Sequence, residues 1–145
     1  MYAKIVNNSV VKFPYTTYDL KQDNPGVSFP AELSDALLAG YNMYPVTEGA
    51  IPERDTLTQQ LQSVVQQVNG VWTRVWSIAN YDESTAEMHI LNKRNKLLTD
   101  TDWTQLSDTS LDDSTKAAWA TYRQALRDIT DQDGYPLSVT WPTQP

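Results

Sequence analysis

The last third of the chain, from Leu97 to Pro142, constrains the fold most. It holds three of the five tryptophans, Trp103, Trp119 and Trp141, separated by residues that start and stop helices. Asp112 stands where a side-chain oxygen can accept from the open amides of a first helical turn, and Asp113 adds negative charge at the positive end of the helix. Trp119, Tyr122, Leu126 and Ile129 then recur at helical spacing, which predicts one buried face. Asp133-Gly134 stops the run. The X-Pro steps at Tyr135-Pro136 and Trp141-Pro142 predict an extended tail that folds back to set Trp141 over a helix pair. The other helix of that pair opens at Asp82, or through a capping box of Ser84 with Glu87, and breaks at Thr99 to Asp102. Met88, Leu91, Asn95 and Leu98, with Ile90 and Leu97 beside them, form a narrow stripe. Such a stripe predicts a helix that pairs with partners rather than one sunk in a large core.

Upstream the hydrophobic period changes from that of a helix to that of a strand. TLTQQLQSVVQQVNGVWTRVWSIAN is rich in β-formers and centred on Asn69-Gly70. Both central residues of a tight hairpin turn need φ > 0, which Asn and Gly tolerate. The second arm sets Val71, Thr73 and Val75 on one face and Trp72, Arg74, Trp76 and Ile78 on the other. A lone ribbon is marginal in water, and both faces carry apolar bulk. It is therefore expected to pack on the N-terminal elements or on another chain. Tyr2–Val6 and Ser9–Phe13 around Asn7-Asn8 predict a second hairpin. Thr17 is the expected cap of a short helix, Ser34 caps another that ends at Gly40, and Tyr41 to Val46 is extended. The result is an α+β chain: a β-rich N-terminal module with hairpins and short helices over residues 1–80, then a C-terminal helical hairpin locked by tryptophans over 81–145.

Several function classes are disfavoured. The net charge of -7 over 145 residues suits no nucleic-acid backbone, which needs clustered Lys and Arg. The chain has no cysteine and one histidine, His89, so no metal site or cofactor is expected. The carboxylate pairs Asp100/Asp102, Asp112/Asp113 and Asp131/Asp133 sit at helix ends or turns, where Asp serves as a cap. A glycan hydrolase would need an enclosed carboxylate pair, so no catalytic residue is assigned and an enzyme is not expected. No apolar run reaches the ~18 to 20 residues of a membrane span, and MYAKIVNNSVVKF lacks the features of a secretory leader. The expectation is a soluble protein made in the cytoplasm. What remains is contact chemistry. Trp, Tyr and Arg dominate interface hot spots, which makes Trp72, Trp76, Arg94, Trp103, Trp119, Tyr122, Arg123 and Arg127 the candidate partner-binding residues. For each ring the plainer alternative is a place in the core, and both hold where one edge is buried and the other free.

A resemblance sharpens this. Arg94-Asn95-Lys96-Leu97-Leu98, Thr101-Asp102-Trp103-Thr104-Gln105-Leu106, the run from Ala117 through Trp119, Tyr122-Arg123-Gln124-Ala125-Leu126-Arg127 to Ile129, and Trp141-Pro142 together resemble the C-terminal module of bacteriophage tail assembly chaperones and tail-fibre assembly proteins. YAKIVNNSVVKFPYT, DNPGVSFP and YPV, and Val68 to Trp72, are similar to the segments that precede this module in such proteins. One departure is that Ala86 is the sole alanine between Asp82 and Leu98, where relatives carry a longer, alanine-rich helix. The resemblance implies a non-enzymatic protein that binds a trimeric tail fibre and assists its folding or trimerisation. Retention in the virion and self-association are left open. The alternative is a permanent tail subunit without chaperone activity.

Overall fold

The computed structural model describes all residues, 1–145. The chain forms two compact units, one of residues 1–53 and 61–77, the other of residues 54–60 and 78–145. The second hairpin thus contributes its outer part to the first unit and its root to the second.

In the first unit, β1 (Tyr2–Val6) is the centre of a three-stranded antiparallel sheet, flanked by β2 (Ser9–Lys12) and β3 (Met43–Pro45). Asn7 and Asn8 turn β1 into β2 with φ of 50° and 59°, the left-handed pair a two-residue hairpin requires. Between β2 and β3 lie α1 (Thr17–Asp23) and α2 (Asp35–Ala39). The cap of α1 is Thr16, not Thr17. Its hydroxyl accepts from the Asp19 amide at 3.3 Å while the Asp19 carboxylate accepts from the Thr16 amide at 2.8 Å. This reciprocal pair exists only when the carboxylate stands three residues past the cap, and that selects Thr16. Ser34 caps α2 as expected.

The second sheet has the order β4-β6-β5, from β4 (Thr47–Glu48), β5 (Gln59–Val68) and β6 (Val71–Asn80). The hairpin turn is at Asn69-Gly70, with φ of 51° and 79°. β4 runs parallel to β6, Thr47 opposite Thr73 and Glu48 opposite Arg74, a pairing with no local sequence signal. Gly49 makes it possible. Its amide donates to the Arg74 carbonyl at 2.9 Å, and a Cβ there would lie 2.6 Å from that oxygen.

Two apolar clusters fill the first unit. One joins Tyr15, Leu20, Leu38 and Met43; the other joins Ala3, Ile5 and Val46 with Phe13, Tyr44, Val65 and Trp72 against them. The ribbon therefore packs on the N-terminal strands, through Val65 on one arm and Trp72 on the other.

The second unit is built on α3 (Glu83–Asp100) and α4 (Asp113–Arg127). Asp82 and Asp112 cap them, each accepting from the amide and hydroxyl of a threonine three residues on. Glu87 does not close a capping box with Ser84; it accepts from the Tyr135 hydroxyl at 3.3 Å. Short 3-10 turns follow each helix, Asp102–Gln105 and Asp128–Asp131. The core comprises Ala86 and Ile90 of α3 with Tyr122, Leu126 and Ile129. The inward face of α3 thus differs from the stripe read off its large residues. Ala86 and Ile90 are fully buried, four apart, whereas Met88 is 52% exposed. A small residue marks the buried line here, and a count of bulky side chains misses it. The tail folds back as expected: Gln132 bonds the Thr140 amide and carbonyl, and the Trp141 ring lies under Lys93 of α3 at 4.1 Å.

Candidate partner-binding surfaces

On the ribbon, Trp72 and Trp76 are half-buried on the face turned to the first unit's core. The Trp76 indole N–H donates to Glu48 at 2.6 Å. Arg74 lies between two rings, 3.9 Å from the centroid of Trp76 and 5.5 Å from that of Phe13, and donates to Ser63 at 2.9 Å. Partly buried stacking of this kind contributes about 1 kcal/mol and fixes the aromatic faces. What the ribbon leaves open is its other face and one edge. Val64, Val68 and Val71 are 61%, 41% and 51% exposed. β5 is an outer strand of its sheet, and its ten residues hold no charge and no proline. Edge strands are normally guarded by Lys, Pro or bulges, because their free N–H and C=O groups pair with any strand that meets them.

In the second unit the aromatics form a graded run. Tyr122 is buried, Trp119 half-buried and Trp103 50% exposed. Trp119 meets Tyr122 edge-on at 5.7 Å and Trp103 at 6.2 Å. Trp103, with the exposed Leu106, presents the outer end of this run. On α3, Met88 and Leu91 line an open groove with Ser84, Glu87, Asn92 and Asn95.

The arginines divide. Arg127 is exposed, and Arg94 is half-buried and donates to Asn95 at 2.8 Å. Arg123, expected at the surface, is 6% exposed. One amino group donates to the Leu98 carbonyl (2.6 Å) and the Thr101 hydroxyl (2.8 Å), the other to Asp102 (2.6 Å). The guanidinium thus meets the negative end of α3, where carbonyls lack intrahelical donors, and ties α4 to it. His89 is likewise used within the unit. Its Nδ1 donates to the Leu57 carbonyl at 3.0 Å, and its ring packs edge-on against Tyr81.

Acidic groups are held by local partners. Lys12 and then Thr16 keep the Asp19 carboxyl well below its usual range, and Ser114 and Thr115 hold Asp112 down to about 2. Burial, then Asp23, pushes the Tyr15 phenol up to about 12. Each of these groups belongs to a cap or a lock between elements. No group of three or more His, Cys, Asp or Glu side chains is placed to hold a metal ion. No helix is long and apolar enough to cross a membrane.

Exposed aromatics, an open groove floored by two apolar side chains and an unguarded strand edge are the equipment of a protein that binds other proteins. Residues 88–145, less than half of the chain, match the model of the family described as "Phage tail assembly chaperone protein". The matched stretch runs from α3 to the C-terminus, and the match supports a phage tail assembly chaperone role and, with it, interaction with phage tail proteins. Searches of curated proteins and of solved structures return no match to this chain.

Proposed function

We propose that the tail protein this chain serves is a tail fibre, and that it binds the fibre chain and assists its folding or trimerisation in the cytoplasm of the infected host. Fibre chains are rich in β-structure, fold slowly and expose strand edges before the trimer closes. A partner that supplies a temporary strand would cover those edges and block their aggregation. The observation that carries this reading is the open edge of β5, ten uncharged residues beside the exposed Val64 and Val68. Trp103, Leu106 and the Met88–Leu91 groove offer the second unit a separate contact, to which Arg94 and Arg127 add charge.

Coexpression tests the proposal. The fibre produced alone is expected to aggregate, and with this protein to give soluble trimer. Equal yields of soluble trimer in both cases would remove the chaperone role. Purified particles decide what happens afterwards: fixed stoichiometry in the virion marks a protein that stays on the fibre, and absence marks one that leaves.

A further inference from the structure

One face of α3 is left open by its own unit, and its side chains recur at the spacing of a helix that lies along another helix. Ala86 and Ile90 turn to the core, His89 to the Leu57 carbonyl and Lys93 to Trp141. Ser84, Met88, Leu91 and Asn95 share a different face, at steps of four, three and four. That is the heptad step, which keeps one seam turned to a partner over successive turns. Ser84, Met88 and Asn95 are exposed and Leu91 is half-buried, and with Glu87 and Asn92 they line the groove on α3.

The two flanks of this seam differ. Glu87 and Arg94 stand together on one of them, seven residues apart. Two turns separate them by about 10 Å along the axis, too far to pair within the helix. Neither belongs to any of the protein's ion pairs. Glu87 accepts one bond, from the Tyr135 hydroxyl, and Arg94 gives one, through its Nε to Asn95. The amino groups of the Arg94 guanidinium and the second Glu87 oxygen have no partner in the protein. The other flank, Thr85 and Asn92, is uncharged.

We infer that the groove is covered by α3 of a second copy of this chain, laid antiparallel across a two-fold axis. A partner for this surface has to carry apolar side chains at the same step, polar ones at both ends, and a base and an acid in reverse order along one flank. Run backwards, α3 itself meets each condition. Met88 packs on the partner's Leu91 and Leu91 on the partner's Met88, while Ser84 and Asn95 face each other at either end. Glu87 reaches the partner's Arg94 and Arg94 the partner's Glu87, so the dimer gains two ion pairs from charges that are unmatched in one chain. The contact is self-complementary, and two copies close on each other without offering the surface to a third. A parallel pair would set Glu87 against Asn92 and leave both charges unmatched. Two apolar layers bury less than the roughly 1,200 Å² of a stable interface, so the dimer is weak, with a dissociation constant of about 0.1 mM. Use of the groove by a fibre segment rests on the proposed function, and there the second copy is its competitor.

The test uses the full-length chain without fibre, so its outcome is independent of the coexpression result. Sedimentation equilibrium up to about 1 mM, with the amide signals of α3 followed over the same range, is expected to show exchange between monomer and dimer and shifts along Ser84 to Asn95. Glu87→Arg sets arginine against arginine twice and should weaken the dimer about tenfold, although it makes the chain less negative. Arg94→Glu sets glutamate against glutamate and should weaken it to a similar degree. Mixing the two variants restores both ion pairs, so the mixed dimer should form at least as well as the native one. Circular dichroism checks that each variant keeps the fold. A monomer at all concentrations would overturn the inference. So would a dimer that the charge reversals leave unchanged, which marks a parallel pair or an interface elsewhere, and so would shifts that fall outside α3.

Discussion

Replacement of Arg123 by methionine tests how the second unit is held together. Methionine keeps the length and apolar stem of the side chain and removes the guanidinium. Three hydrogen bonds from a charged donor are lost, to Leu98, Thr101 and Asp102. Hydrogen bonds involving charge contribute about 1.5 to 3 kcal/mol each, so simple addition would overstate the cost. Three features reduce it. The Leu98 carbonyl keeps the Thr101 amide and hydroxyl as donors. Asp102 is 65% exposed and returns to water. The Arg123 Nε is buried without a partner, a penalty the substitution relieves. The net loss expected is about 2 kcal/mol, roughly a thirtyfold change in the folding equilibrium. Arg127→Met, on the exposed side of the same helix, should stay within about 0.5 kcal/mol. Urea unfolding gives the two values, and amide hydrogen exchange across α3 and α4 locates the effect. If Arg123→Met and Arg127→Met cost the same, the assignment of Arg123 as an internal tie between helices is wrong.

Gly49→Ala places a Cβ 2.6 Å from the Arg74 carbonyl, so β4 must move off β6; a loss of about 2 kcal/mol is expected in thermal unfolding, and unchanged stability would refute the close approach. Asp19, Asp23, Asp82 and Asp112 all have depressed carboxyl pKa values in the folded chain. Their contribution is therefore fully present above about pH 5, where the unfolded carboxylates are also ionised, and is lost as pH falls toward about 2. The melting temperature should hold from neutral pH to about 5 and then fall, and a flat profile down to about pH 2.5 would contradict this. Val64→Lys with Val68→Lys puts charge on the open face of β5; the fold should survive, by circular dichroism, while rescue of soluble fibre is lost. Retained rescue would count against the ribbon as the gripping element.

Much of the architecture was legible because its signals are local. Asn7-Asn8 and Asn69-Gly70 announce their hairpins through backbone chemistry that few other residues allow. Asp82, Asp112 and Ser34 announce helix starts, and the line Trp119, Tyr122, Leu126, Ile129 gives the face of α4. The parts that were not legible depend on chain segments distant in sequence. Nothing near Thr47 indicates a parallel partner at Thr73, and Gly49 reads as a plain connector residue until Arg74 is seen beside it. Arg123 carries the same local signature as Arg127, four residues away, yet only one of them meets the end of α3. Ala86 was overlooked because helix faces are read from bulky residues, while close approach favours a small one. Trp72 and Trp76 show the limit of composition as a guide to contact, since each ring is already half committed to its own unit.

The proposal that β5 lends its edge to a fibre strand is tested most directly by amide hydrogen exchange of this chain with and without the fibre. Amides along Gln59–Val68 that point away from β6 exchange freely in an unpaired edge and become protected when a strand pairs with it. The expected result is slowed exchange confined to alternate residues of β5 on adding fibre chain. Binding of fibre with β5 exchange unchanged would contradict strand pairing.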